Sequence, residues 1–416
     1  MHALEKILAN ASGQKTVEAG QTVSARIDLA EVNDLYLQVL VSFNEMGATK
    51  VWEPSRVVFV LDHYAPAPTI TSAANQKTMR EFCESHHVEH VFDINSGVCH
   101  QVMVEAGLVR PGMLVVETDS HTTTLGALGA FGTGCGATDM AGILATGEMW
   151  MRVPEVIRVT YEGRVPQGVM GKDLALYSLG QLGTEVAGYK GIEYAGQPVL
   201  NLPLADKMAL CNMAVEMGAK TSYIQPTPDV LDYVRLRTGQ EPKPVFTDPD
   251  YRYHEEYRIW IEGMEPQVAC PSRVDNVYGV SQVEGERVDQ AVIGTCTGGR
   301  LEDLEVAARI LAGRRVNKKC RLIVVPASTE ILRAAIDRGY VQSLLDAGAV
   351  LASPGCGPCL GAHQGVLAAG ERCISASSRN FPGRMGSNQA EVFIASPAVV
   401  AASAIHGRVA DPRKML

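Results

Sequence analysis

The sequence predicts an α/β protein built around parallel sheets, and three observations predict it. Apolar, strand-like runs alternate with glycine-rich loops and with segments of helical apolar spacing, several times over. Polar, reactive residues stand just past the ends of those runs, the edge where open α/β sheets bind ligands. The 40 glycines gather in loops rather than in low-complexity tracts, as tight strand-to-helix turns require.

The elements follow in chain order. Arg56-Val57-Val58-Phe59-Val60-Leu61 reads as a buried strand ending at Asp62-His63. Met113-Leu114-Val115-Val116-Glu117 reads as another, ending at Thr118-Asp119-Ser120-His121. Gln290-Ala291-Val292-Ile293 runs into the Cys296 loop, and 302–312 then has helical spacing at Leu304, Val306, Ala307, Ile310 and Leu311. Arg321–Val325 is a further strand. Ala349–Ala352 leads into the Cys356 loop, and Arg372–Ser375 leads toward Arg379. The stretch 241–282, richer in Pro, Tyr and charge, reads as a boundary.

A chain of 416 residues exceeds one ordinary core and suggests two to four domains. Hydrophobic residues at 46% and charged residues at 20% suit a globular protein. The net charge of -9 and the lack of a Lys/Arg block argue against a nucleic-acid partner. Met1-His2-Ala3-Leu4-Glu5-Lys6 has no apolar signal core, and the apolar run 393–405 holds Pro397 and is too short to span a bilayer. A cytoplasmic protein with no membrane partner is expected, its ten cysteines reduced. Close cysteine pairs then point to metal or catalysis.

Cys296 lies in Gly294-Thr295-Cys296-Thr297-Gly298-Gly299-Arg300, and a second loop reads Pro354-Gly355-Cys356-Gly357-Pro358-Cys359. Three thiolates can hold three irons of a cubane cluster and leave the fourth iron open to a substrate oxygen. The pair alone is also compatible with inert thiols or a redox dithiol, and zinc with a further ligand is a third possibility. Asp62-His63 and Asp119-Ser120-His121 set carboxylates beside imidazoles at strand ends, and His100 lies in Gly97-Val98-Cys99-His100-Gln101. Such histidines are candidates for proton transfer. Arg379 and Arg384 flank Asn380-Phe381-Pro382-Gly383, an ordered loop suited to binding carboxylates. Asn212 and Glu216 are four apart and would share one helix face. The glycine-dense stretch 126–136 lacks a dinucleotide fingerprint and reads as close backbone packing at a site.

Together these motifs resemble the aconitase superfamily, and within it the large subunits of the two-subunit isopropylmalate dehydratase and homoaconitase type. Those that carry the resemblance are Asp62-His63, Gly97–Gln101, Thr118–Thr122, Cys211-Asn212-Met213, the Cys296 loop, Cys356-Gly-Pro-Cys359 and Arg379–Arg384. The resemblance implies three α/β/α domains around an iron–sulfur cluster, taken as 1–155, 156–285 and 286–416. It implies a [4Fe-4S] cluster with one labile iron, held by Cys296, Cys356 and Cys359. The swivelling fourth domain is lacking and is expected as a separate small subunit carrying the serine base.

By the same resemblance, Asp62, His63, His100, Asp119, His121 and Glu216 are the catalytic set. Ser120, Arg379, Arg384 and Asn33 belong to the substrate, and Asn212 neighbours the cluster. The expected activity is a hydro-lyase acting on a malate-type hydroxy acid. 3-Isopropylmalate, in leucine biosynthesis, leads; homocitrate-type acids, citramalate, maleate and dimethylmalate follow. A non-catalytic RNA-binding relative is the alternative of another class. Three positions depart from the family pattern: Gly298, where Asn is usual; Ser378, also where Asn is usual; and Val32-Asn33-Asp34-Leu35-Tyr36, where His-Asp and a small hydroxyl residue are usual.

Overall fold

Strands predicted as continuous apolar runs have to be covered on both faces, and the structure covers them. In the computed structural model, which describes residues 1–416, the strands Leu29–Asn33, Val57–Val60 and Leu114–Glu117 are buried along their whole length. They join His90–Phe92 and Phe131–Gly134 in a five-stranded, all-parallel sheet. Leu29–Asn33 lies at its centre, between Val57–Val60 and Leu114–Glu117. Connections leave from the centre in both directions, so the crevice beyond Asn33 and Glu117 is the natural ligand-binding edge.

A second parallel sheet orders Thr221–Tyr223, Gly191–Ala195, Val156–Glu162 and Glu255–Trp260. The third has seven strands. Its parallel part runs Glu391–Ala395, Arg372–Ser375, Gln290–Gly294, Arg321–Val325 and Val350–Leu351. Its switch point falls between Gln290–Gly294 and Arg372–Ser375, so the Cys296 loop and the Arg379 loop emerge side by side. Gln267–Ala269 and Val277–Gly279 extend this sheet antiparallel. They come from the segment read as a boundary, which therefore supplies two strands, one of them at the edge, to a sheet formed mostly by later residues. A two-stranded ribbon pairs Thr22–Arg26 with Glu148–Arg152.

The apolar run 393–405 is split at Ser396. Its first part belongs to the strand Glu391–Ala395, and Pro397 opens the helix Pro397–His406. Proline at the first helical position loses no hydrogen bond and is already set to helical φ. The glycine-dense stretch packs as its composition suggests. A Cβ on Gly126 would stand 2.1 Å from the Ser222 carbonyl oxygen, and one on Gly132 would stand 2.2 Å from that of Thr122. Backbone meets backbone there, and this seats 120–128 against the second sheet.

Candidate active site

The first wall of the site is the edge of the five-stranded sheet. Asp62 and His63 follow Val57–Val60, and Asp119 follows Leu114–Glu117. His63 Nδ1 and Asp62 Oδ1 are 2.6 Å apart, while His63 Nε2 faces Asp119 Oδ2 at 3.4 Å. His100 Nδ1 pairs with Glu117 Oε2 at 2.7 Å, and its Nε2 lies 3.4 Å from Asp119 Oδ1. His121 Nδ1 lies 3.3 Å from the same oxygen. Asp119 is thus a hub for three imidazoles.

Burial acts against charge on Asp119, His63 and His100, and their pairings outweigh it; at Glu117 burial prevails and raises the carboxyl above its usual range. Burial alone would raise the Asp119 carboxyl, but hydrogen bonds from His100, His121 and His63 hold it well below its usual range. Burial alone would lower His63, yet Asp62 and Asp119 raise it well above its usual value. Glu117 and Asp119 do the same for His100. The edge therefore brings buried imidazoles and carboxylates together in a set able to hold and release protons.

Sequence reading missed the residues that support this hub. Asp34 accepts the backbone N–H of His63 at 2.9 Å and of Tyr64 at 3.0 Å, and the Gln76 side-chain amide at 3.0 Å. Asp62 Oδ2 accepts the Cys99 N–H at 2.9 Å, which ties the His100 helix Cys99–Glu105 to the dyad. Glu31, fully buried inside a strand, has its carboxyl raised well above the usual range by burial and by Glu117 and Asp62. Glu117 was visible as an acid inside an apolar strand, a pattern that already asks for a buried partner.

The second wall is the edge of the seven-stranded sheet. Cys296, Cys356 and Cys359 are all buried free thiols. The Cys296 loop bends sharply: Gly294 has φ +144° and Thr295 φ +67°. A Cβ at 294 would strike the Val325 carbonyl oxygen at 2.3 Å. The Cys356 N–H donates to the Asp62 carbonyl at 3.0 Å, and the Val98 N–H donates to that of Ala327 at 2.8 Å. These two bonds stitch the walls together.

Arg384 Nη2 reaches the Cys359 sulfur at 3.5 Å. A hydrogen bond from Cys356 and the nearby Arg384 charge lower the Cys359 thiol well below its usual value, against the effect of burial. The donor set fits a cluster: three buried thiols on one edge, one of them already favoured as thiolate, with a cation at hand.

A third group comes from 204–217. Asn212 ends the helix Leu204–Asn212, and Glu216 lies in the following tight turn, Met213–Met217. This corrects the expectation of one shared helix face: the helix stops between them, and the tighter turn sends them to different partners. Asn212 Nδ2 donates to Thr124 Oγ1 at 2.8 Å. Its Oδ1 is buried without a partner. Glu216 Oε1 accepts from Arg379 Nε at 2.7 Å and lies 3.0 Å from His121 Nε2. Arg379 Nη2 donates to Ser120 Oγ at 3.1 Å. Arg379, Ser120, His121 and Glu216 are thus joined across elements far apart in sequence.

Two of the three departures have a visible context. A Cβ at Gly298 would lie 2.4 Å from the Ala376 Cβ, so a larger residue at 298 does not fit opposite this alanine. Asn33 Oδ1 accepts the Leu35 N–H at 3.1 Å, and its backbone N–H donates to Thr118 Oγ1 at 3.0 Å. Asn33 thereby shapes the turn at the switch point and leaves its Nδ2 unpartnered. Tyr36 lines a cavity of about 400 Å³ with Thr118, Ser120 and Lys220. The Ser378 hydroxyl is buried without a partner, and nothing in the structure explains the choice of serine there.

Two independent similarities agree with this arrangement. The model of the aconitase family (aconitate hydratase) matches residues 5–286 and 280–407. The fold is similar to that of aconitase X from Thermococcus kodakaraensis, with a TM-score of 0.51 and 15% identity over 91% of this chain and 90% of that one. The chain belongs to the aconitase family and is a hydro-lyase large subunit.

Full-length relatives refine that class. The chain is 51% identical over 413 residues, 99% of both chains, to the 3-isopropylmalate dehydratase large subunit 1 of Methanopyrus kandleri. It is 46% identical over 419 residues, 100% of this chain and 98% of the relative, to the probable methanogen homoaconitase large subunit of Methanothermobacter thermautotrophicus. No helix is long and apolar enough to cross a membrane.

Proposed function

We propose that this chain is the large subunit of a [4Fe-4S] hydro-lyase that dehydrates and rehydrates a malate-type hydroxy acid, with 3-isopropylmalate as the leading substrate. The observation that carries the proposal is the meeting of two edges: the Asp119–histidine hub on one sheet and the three buried thiols on another. When bound by Cys296, Cys356 and Cys359, the cluster supplies an iron without a protein thiolate, a Lewis acid for a substrate oxygen.

The chain's own residues supply the rest. His63, with Nδ1 held by Asp62, presents Nε2–H as the acid for the departing hydroxyl. Asp119 keeps that nitrogen oriented and stabilises the imidazolium. His100 and His121 hold Asp119 ionised and share its proton traffic. Arg379 uses Nε and Nη2 on Glu216 and Ser120, which leaves Nη1 for a substrate carboxylate. Arg384 is committed to Cys359 and orders its loop. Asn33 and Tyr36 lie at the switch-point crevice, where a substrate side chain would be sensed.

A separate small subunit carries the swivelling domain and the serine base in this reading, and 1–155, 156–285 and 286–416 form three domains around the cluster. The homoaconitase-type relative favours a second reading, a homocitrate-type tricarboxylate. Assay of the reconstituted chain with a matching small subunit decides between them. Turnover of 3-isopropylmalate with kcat/KM at least tenfold above that for homocitrate and citramalate supports the first. The reverse ranking supports the second, and no dehydration of any hydroxy acid contradicts both.

A further inference from the structure

Lys172 belongs to none of the motifs read from the sequence and to no part of the proton-transfer hub. It stands in the helix Gly171–Leu182 and is 1% exposed. Its ammonium donates to Thr297 Oγ1 at 2.9 Å and to the carbonyl oxygens of Ala376 and Ser377, each at 2.5 Å. Thr297 directly follows Cys296, and its own hydroxyl donates to the Ala376 carbonyl at 2.6 Å. Ala376-Ser377 lead directly to Arg379. One ammonium therefore ties the thiolate loop to the substrate-arginine loop at the switch point of the third sheet.

All three ammonium hydrogens are used, which removes the cost of unmade hydrogen bonds but not that of a buried charge. No carboxylate pairs with it. The two acids that act on it electrostatically, Asp303 and Asp173, are engaged elsewhere. Asp173 accepts the N–H groups of Met170 and Gln267, each at 2.8 Å, and Asp303 accepts that of Arg300 at 2.9 Å. Two of the three candidate cluster ligands, Cys296 and Cys359, act electrostatically on Lys172 alongside those acids.

We propose that Lys172 is a positioning residue for the cluster: its buried cation offsets the net negative charge of a cluster held by three thiolates, and its hydrogen bonds lock the Cys296 loop to the Arg379 loop. This rests on the cluster assignment above. Removing the cation makes the more negative, reduced cluster less favourable, and releasing the loop makes iron easier to lose.

The test uses the full chain and its K172Q, K172M and K172R variants, each reconstituted anaerobically with ferrous iron and sulfide. The readouts are the midpoint potential of the cluster, the rate of iron loss to a chelator and the thermal midpoint of the metal-free chain. K172Q keeps an amide donor and loses the charge. The expected result is a more negative potential in K172Q and K172M, with iron lost about tenfold faster or more, and a potential near wild type in K172R. A wild-type potential and iron-loss rate in K172Q overturns the role of Lys172 and leaves the cluster assignment standing. A wild-type chain that assembles no cluster overturns both. Should K172M not fold, the Gln and Arg variants carry the comparison, and equal shifts in the two overturn the proposal.

Discussion

At the edge of the first sheet, Asp119 stands 3.3–3.4 Å from His63, His100 and His121. At the matching edge of the third sheet, three thiols sit in loops bent by glycine and Thr295. The first edge is largely closed electrostatically: Asp119, His63, His100 and His121 each face a partner of opposite kind, and Glu31 alone among its acids is buried without one. The second is not. Its cations include Arg384, at one sulfur, Arg300, which acts on Cys296, and Lys172, behind the loop, and its thiols have no hydrogen-bond partner beyond Arg384 and one another. An edge that is complete alone serves proton transfer; an edge left short of partners is built for a group that arrives later.

Breaking the second edge is expected to have the largest effect. C296S, C356S or C359S should abolish stable cluster assembly and with it turnover, as read by iron and sulfide content after reconstitution. The first edge fails differently. H63N should leave the iron content intact and lower kcat by about 10²–10⁴-fold, the usual contribution of a positioned general acid. A variant that loses iron instead would mean that the two edges are not separable. D62N, which alters the orienting partner of His63 and keeps an oxygen to accept the Cys99 N–H, should cost less, about 10–100-fold in kcat.

Gly298 sharpens the comparison on the stability side. G298N, which restores the usual family residue, should destabilise the metal-free chain by about 1–3 kcal/mol in denaturant unfolding, because its Cβ meets Ala376. Adding A376G should recover much of that loss, whereas an additive double variant would contradict the steric explanation.

The smallest effect is the pH dependence of the metal-free chain. His63 and His100 are raised above their ordinary value of 6.5, so their stabilisation is complete below that pH and is lost as pH rises through their raised values. Asp119 is held below its ordinary 3.8, so its contribution is present above that pH and is lost as pH falls further. Thermal midpoints should therefore fall on the alkaline side, and H100N should flatten that limb.

Much of this was legible in the sequence where one residue type admits one geometry. The apolar runs ending at Asp62, Glu117, Gly294 and Ser375 are strands within a residue or two of their expected limits. The helix expected over 302–312 is Leu301–Leu311. The polar residues at those ends do lie at sheet edges. What stayed hidden depends on chain crossings. Asp34 reaches His63 and Tyr64 from 29 and 30 positions away, and Lys172 reaches Thr297 from 125. Periodicity describes one element and says nothing of which loops two sheets bring together. The spacing of Asn212 and Glu216 misled for a related reason, since it carries no sign that the helix tightens after Asn212. Likewise, the boundary segment 241–282 carried no mark that part of it would add strands to the third sheet.

The central claim is an iron–sulfur site with one open iron, facing the histidine hub. Electron paramagnetic resonance of the anaerobically reconstituted chain after mild oxidation tests it most directly. A three-iron signal that disappears when ferrous iron and reductant are added is the predicted result. A chain that binds only zinc, or a cluster that never yields one iron, would contradict the account.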